Sequence, residues 1–528
     1  MTQFKLTYST MFDPPPQLHE RFDAAVGAMR ARFGESHPLH IGGKAVFKPK
    51  QLEKRDPADG RQVLGRFSLA DDSDVDAAVE AARNAQPAWR AMGWQERNAV
   101  MRKVSQVVEG RAYDIAAAIS FEVGKNRMEA LGEVGEVVDF FALSADQMEA
   151  NGGFDRPLPN DPVAGFVSTN RSVMKPYGVW AVVVPFNFPF ALAGGPAAAA
   201  LATGNTVVLK GATETPWSGV MLAECLRDAG VPDGVFNYLL GSGSTVGRRL
   251  VEHDGIDGVT FTGSHEVGMG IIRAQAARPW PRPCIAEMGG KNAVLVTAAG
   301  DLDDAAQGIV RSAFGLTGQK CSALSRIYVE ARVYESLVEK IRAAMAKITV
   351  GIPQERSNWM GPIATPQAFD RYAGYVAALS RDGAQVLEGG RQRWRDDLLH
   401  GLYCEPVLAQ APLDHPLWRK EMFAPIVLIA PVGSKVEGMK QVNDSPFGLT
   451  GGFYGSPDET EWFYDNVQVG VAYSNRPQGA TTGAWPGYQA FGGWKGSGST
   501  GKALASFYYL TQYMREQSQT RVVRAAGG

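Results

Sequence analysis

From Trp180 to Leu209 the chain carries no charged residue, and the pattern inside that run decides what it is. Its length alone would suit a membrane span. However, Pro185, Pro189 and Pro196 interrupt it, Asn187 sits in its middle and Gly204-Asn205 near its end. The pattern predicts a buried strand over 180–184, a loop, a small-residue helix over 190–203, a turn and a second buried strand over 206–210. Apolar residues recur at helical spacing over 74–92 and 97–121, with an amphipathic helix near 17–33 and another over 332–347. Residues 231–241 read as a turn and a strand. "GVTFTGS" (258–264) reads as a strand ending before a helix from about Glu266, and "CIAEMGGKNAVLV" (284–296) as strand, Gly-Gly turn, strand. Strands alternating with helices imply parallel sheets covered by helices, the α/β class.

Composition adds limits. A chain of 528 residues holds more than one domain, or one large core with an appendage. It is 45% apolar and 20% charged with a net charge of −2, which favours neither nucleic acid nor an acidic membrane as partner. Its four cysteines, Cys225, Cys284, Cys321 and Cys404, form no CxxC and have no histidine at ligand spacing, so no metal is expected. Scattered cysteines suit a reducing compartment, and the opening "MTQFKLTYST" lacks a basic-then-apolar leader. The expectation is a cytoplasmic protein without a membrane anchor.

Several short stretches carry candidate chemistry. "PFNFP" (185–189) puts Asn187 in a loop after a buried strand, where its amide could donate into a cleft or satisfy its own turn. "GNTVVLKGATETP" (204–216) puts Lys210 at a strand end, either holding a ribose or phosphate or snorkelling to solvent. Gly263 and Ser264 precede a helix, whose first N–H groups can take a pyrophosphate. "GSGSTVG" (241–247) does not have dinucleotide-fingerprint spacing and reads mainly as a turn. Glu287, beside Gly289-Gly290, could be a general base or a paired structural carboxylate. Cys321, in "GLTGQKCSALSR" (315–326), has polar and small neighbours. A thiolate there would be reactive if its pKa were lowered, to which Lys320 could contribute; a lone cysteine is otherwise a buried spectator.

These stretches, with "EMFAP" (421–425) and "AFGGWKGSG" (490–498), occur together in an order that resembles the aldehyde dehydrogenase superfamily over about residues 38–520. Within it, "EVGKN" (122–126), "IAEMGGKN" (285–292), "SAFGLTGQKCSALSR" (312–326) and "SPFGLTGG" (445–452) are similar to the branch of 1-pyrroline-5-carboxylate, or glutamate-γ-semialdehyde, dehydrogenases. The resemblance implies Cys321 as nucleophile, Asn187 as oxyanion donor with the Cys321 N–H, and Glu287 as the base that releases the acid. It implies NAD, or NADP, held by Pro185, Phe186, Lys210, Thr213, Gly263, Ser264, Glu421 and Phe423. It implies a small-molecule aldehyde bound by Phe188, Ser322, Gly483 and Ala484, the last three anchoring an α-carboxylate.

It also implies an architecture. A Rossmann-type coenzyme domain is expected over 36–155 and 178–289, a catalytic domain over 290–498, and a β oligomerisation element over 156–177 and 500–520, after an N-terminal extension of residues 1–35. Homo-oligomers built from dimers follow, with the aromatic segment "SFYYLTQYMREQSQT" (506–520) as an interface strand. The sequence departs from the pattern at Ala490, at Ala424, in three extra residues between Asn475 and Gly483, and at Thr213, where many NAD-specific members carry Glu. Thr213 leaves NADP open. The favoured reading is oxidation of glutamate γ-semialdehyde to glutamate in proline breakdown. The alternatives are a different aldehyde, or a catalytically silent protein of this fold, against which the intact Asn187, Glu287 and Cys321 weigh.

Overall fold

A computed structural model describes residues 5–7, 10–11, 14–391, 396–477 and 485–525. Two seven-stranded sheets organise the chain. The first runs, in spatial order, Cys284–Glu287, Gly258–Thr262, Val179–Val183, Thr206–Gly211, Phe236–Leu240, Leu39–Ile41 and Lys44–Val46. Its first five strands are parallel and its last two antiparallel. The strand order reverses between Val179–Val183 and Gly258–Thr262. At such a switch point the two following loops diverge and leave a crevice beyond the carboxyl ends.

The second sheet has the order Gln385–Glu388, Val407–Gln410, Ile426–Val432, Leu324–Glu330, Asn292–Val296, Thr450–Tyr454 and Val471–Ser474, antiparallel only at Gln385–Glu388. The expected parallel sheets therefore carry antiparallel edge strands. The turn after Glu287 takes the chain from the first sheet into the second within five residues. It delivers the end of one sheet to the beginning of the other.

The uncharged 180–209 run divides into the strand Val179–Val183, the helix Ala191–Ala202 and the strand Thr206–Gly211, all nearly wholly buried. Among the described residues, no helix is long and apolar enough to cross a membrane. The 97–121 run is two helices, Gly93–Gly110 and Ala112–Val123, broken where Arg111 leaves helical geometry after a glycine, which weakens a helix interior. The helix Pro16–Arg30 buries Leu18, Phe22, Ala25, Val26 and Met29 in the same core as the first sheet.

A third, three-stranded antiparallel sheet joins Asp155–Leu158, Phe166–Pro176 and Met514–Arg524. The aromatic segment differs from expectation. Its aromatic residues precede the strand, and a short 3-10 turn, Leu510–Tyr513, directs two of them inward. Tyr513 lies against Trp180 at 4.6 Å between ring centroids and shares hydroxyl contacts with Thr260 and Tyr509. Inward burial of Tyr509 and Tyr513, and not strand pairing, accounts for this cluster. The strand that follows is mostly exposed, with Val522 and Val523 about half accessible.

Candidate active site

The crevice at the switch point is a cleft of about 570 Å³. Val183–Phe186 form one wall and Thr262–Ser264 the other. Ser264 caps the helix His265–Ala276, whose first turn opens into the cleft. Lys210 ends the strand Thr206–Gly211 there, its pKa lowered by burial and raised by the nearby Glu214. The Thr213 hydroxyl donates to Glu214 at 3.2 Å, and both residues line the cleft. Gly243 and Gly247, from the 241–247 stretch, form a π-helical turn along its rim and not a simple turn. An ammonium and a helix start that donate, and a carboxylate that accepts, stand at a sheet switch point and suit a dinucleotide's phosphates and ribose hydroxyls.

Glu421 and Phe423 approach from the second sheet's side. Glu421 accepts the Gly290 N–H at 2.9 Å, and burial raises its pKa. Phe423 has φ +53° and meets Phe186 edge-on at 5.8 Å. A bulky residue at positive φ costs roughly 1–3 kcal/mol and is retained where surroundings fix it. The turn that admits Glu421 requires glycine. A Cβ on Gly289 would lie 2.2 Å from a Glu421 oxygen, and one on Gly290 would lie 2.3 Å from the Cys321 carbonyl.

Cys321 follows a loop with two further non-glycine residues at positive φ, Leu316 (49°) and Thr317 (55°). Thr317 is tied by its hydroxyl to the Gly361 carbonyl at 2.9 Å. The Gln319 side chain accepts from Ala364 N–H at 2.9 Å, and its backbone carbonyl accepts from the Asn187 amide at 3.0 Å. Beyond the cysteine, Asn292 donates to the carbonyls of Cys321 and Ala323 at 2.7 and 2.8 Å, while Thr450 N–H donates back to it at 2.9 Å. The thiol is thus held on both sides.

Its charge state differs from expectation. Burial, with smaller contributions from Glu421 and Glu287, pushes the Cys321 thiol up to about 12, against which the Ser322 and Cys321 N–H groups act. Lys320 does not activate it, because its ammonium turns away to Glu129 at 3.4 Å.

Glu287 ends the strand Cys284–Glu287. Burial raises its carboxyl to about 8, partly offset by the Gly493 N–H, and its Oε2 is shut from solvent without a hydrogen-bond partner. The carboxyl is therefore only half satisfied, with the Gly493 N–H on it and Oε2 left without a partner.

Cys321 and Ser322 line a second, smaller cavity of about 70 Å³ together with Phe140, Phe188, Leu192, Trp485 and Leu504. Glu136 also lines it. Trp485 is fixed by its indole N–H to Asp139 at 2.6 Å and seats against Gly135. Gly483 and Ala484 lie outside the described residues.

The fold therefore brings Asn187, Glu287, Cys321, Ser322 and Phe188 to one site, with Pro185, Phe186, Lys210, Thr213, Gly263 and Ser264 in the adjoining cleft and Glu421 and Phe423 near the turn that joins the two sheets. Sequence reasoning missed Gln319, Asn292 and Glu214. Gln319 and Asn292 act through neutral hydrogen bonds whose partners are distant in the chain. Glu214 was visible as the acid beside Thr213.

The aldehyde dehydrogenase family model matches residues 46–518. A 1-pyrroline-5-carboxylate dehydrogenase of Geobacillus thermodenitrificans is 35% identical over 498 residues, covering 93% of this chain and 94% of the relative. One from Halalkalibacterium halodurans is 35% identical over 489 residues, covering 91% and 92%. The crystal structure of a 1-pyrroline-5-carboxylate dehydrogenase from Thermus with bound NAD has TM-score 0.91 and 30% identity, covering 99% of this chain and all (100%) of that one.

Proposed function

Because the chain belongs to the aldehyde dehydrogenase family, we propose that it oxidises L-glutamate γ-semialdehyde, the open form of 1-pyrroline-5-carboxylate, to L-glutamate in proline breakdown, with NAD as cofactor. The observation that carries the chemistry is the convergence of Cys321, the Asn187 amide and the half-satisfied Glu287 carboxyl, drawn from both sheets.

Cys321 Sγ adds to the aldehyde carbon while its proton passes to solvent water. The oxygen becomes an oxyanion within reach of the Cys321 N–H and the Asn187 amide, whose Nδ2 carries two hydrogens and spends one on Gln319. The nicotinamide, when bound, supplies the hydride acceptor. Loss of hydride from the carbon leaves a thioester on Cys321. Glu287 then takes a proton from water, which attacks the thioester carbonyl and releases the acid and the thiol. Removing a single oxyanion donor typically costs ~10²–10³-fold in rate.

The second cavity suits an amino-acid-like aldehyde. Ser322 offers a hydroxyl to an α-carboxylate, and the apolar walls enclose the methylenes beyond it. Glu214 argues for NAD over NADP, since a carboxylate in the ribose end of the cleft repels a 2′-phosphate. The exposed antiparallel sheet of Phe166–Pro176 and Met514–Arg524 would pair protomers into a homo-oligomer, the coenzyme and catalytic domains being 36–155 with 178–289 and 290–498.

The test is reduced-nicotinamide absorbance with glutamate γ-semialdehyde under NAD⁺ and NADP⁺, alongside sedimentation analysis. No turnover of this substrate where other aldehydes are oxidised would refute the substrate assignment, and a monodisperse monomer at micromolar concentration would refute the pairing.

A further inference from the structure

Four charges lie buried behind the reacting groups, on and against the helix Arg127–Ala150. Glu129 and Glu133 are one turn apart on that helix, so both face the same side. Glu133 is fully buried. Its Oε1 accepts the N–H groups of Phe190 and Ala191 at 2.8 and 3.0 Å, and its Oε2 accepts from Lys125 at 2.6 Å. The Lys125 ammonium also lies 3.4 Å from the centroid of the Phe188 ring. These two grips fall just after Asn187, one on its neighbour and one three residues on.

Glu129 does the same for the other segment. Its Oε1 accepts the Leu316 N–H at 2.8 Å and faces the Lys320 ammonium at 3.4 Å. Leu316 and Thr317 are the positive-φ residues of the nucleophile loop, and such conformations persist only when the surroundings over-determine them. Lys320 immediately precedes Cys321. One helix face thus holds both segments, which meet at the Asn187–Gln319 hydrogen bond. Buried ion pairs are often no more stabilising than well-packed apolar residues, so stability alone does not account for two of them here.

We propose that Glu129 and Glu133, each with its lysine, are positioning residues that fix the separation of the two oxyanion donors, the Asn187 amide and the Cys321 N–H. This rests on the aldehyde oxidation proposed above. A displacement of 1 Å at a reacting centre costs on the order of 10²-fold in rate, so loosening either grip acts on the chemical step.

The test is the double variant Lys125→Met/Glu133→Met, which removes both charges together and leaves no unpaired ion in the core. The readout is the pre-steady-state rate of reduced-cofactor formation, using whichever aldehyde the wild type oxidises, so a wrong substrate assignment leaves this test intact. The expected result is a fall of about 10–100-fold in that rate with cofactor affinity unchanged. In an Asn187→Ala background the same double variant should cause no further fall, because the donor it positions is already gone. Glu129→Gln provides a milder second probe, since its carbonyl still accepts from Leu316 while Lys320 loses its counter-charge. It should slow the step in the wild-type background and in Asn187→Ala alike, because the Cys321 N–H that it positions is present in both. Wild-type rates in these variants, or a loss from Lys125→Met/Glu133→Met of equal size in both backgrounds, would overturn the proposal.

Discussion

The amide of Asn187 donates to the backbone carbonyl of Gln319 over 3.0 Å, joining the loop after a strand of the first sheet to the loop that carries the nucleophile. Asn187 is therefore both a donor to substrate and a tie between two segments. Asn187→Ala should lower kcat by ~10²–10³-fold. Asn187→Asp keeps the size but presents an acceptor to a carbonyl, and should be at least as slow. Steady-state rates with circular dichroism as a folding control check both.

The roles of Cys321 and Glu287 separate in time. Cys321→Ala should abolish oxidation while NAD⁺ still binds in the neighbouring cleft. Glu287→Gln should give a burst of reduced cofactor of about one equivalent per site and then stall at the thioester. Stopped-flow absorbance distinguishes the two, and a Cys321→Ala enzyme that turned over normally would refute the mechanism.

Glu287 sets a pH dependence with a defined sign. Burial raises its carboxyl to about 8, so thioester release should accelerate as pH rises through that value, and the dependence should vanish in Glu287→Gln. Its contribution to stability runs the other way. Between the ordinary carboxyl range and about 8 the folded state keeps a proton that the unfolded chain has released, so stability from this group falls with rising pH. Denaturant midpoints of wild type and Glu287→Gln, compared across that window, check it.

Burial pushes the Cys321 thiol up to about 12, and Glu421 is the largest charged contributor after it. Glu421→Gln removes a negative charge and should lower the thiol's pKa, speeding alkylation by iodoacetamide at pH 8 without cofactor. The same variant should weaken NAD⁺ binding if Glu421 holds the nicotinamide ribose. Slower alkylation would show that the carboxyl orients the loop and does not act through its charge.

Substrate anchoring is tested at Ser322. Charge-assisted hydrogen bonds contribute roughly 1.5–3 kcal/mol, so Ser322→Ala should lower kcat/KM for glutamate γ-semialdehyde by about 10–100-fold. Pentanal, of similar length and uncharged, should be barely affected. Equal losses on both would make Ser322 a support for Cys321 and favour a different aldehyde as the natural substrate.

Cofactor choice turns on Glu214. Glu214→Gln removes the carboxylate beside Thr213 and should shift the ratio of kcat/KM for NAD⁺ and NADP⁺ toward NADP⁺. An unchanged ratio would show that the side chain does not reach the ribose in the complex.

What the sequence made legible follows from the range of each interaction. The buried strands and the small-residue helix between 179 and 211 could be read because their apolar runs and proline breaks are local signals. The helix Arg127–Ala150 could not, since its buried face includes Glu129 and Glu133 and so blurs the apolar stripe a helix normally shows. Lys320 was read as a neighbour able to lower the thiol's pKa, but adjacency in sequence gave the wrong direction, its partner being 191 positions away. Tyr509 and Tyr513 were read as strand residues on composition, whereas a single 3-10 turn sends them into the core.

The turn at Gly289-Gly290 has a consequence for how this chain tolerates change. A single added methyl group would collide with the Glu421 carboxylate at one position and the Cys321 carbonyl at the other. At Gly290 the obstacle is a backbone carbonyl, so an alanine there has to push the nucleophile's own segment away from the turn. At Gly289 the obstacle is the end of a long side chain, which can swing aside and carry its carboxylate with it. Two adjacent glycines therefore guard different halves of the molecule, the first the placement of Glu421 and the second that of Cys321.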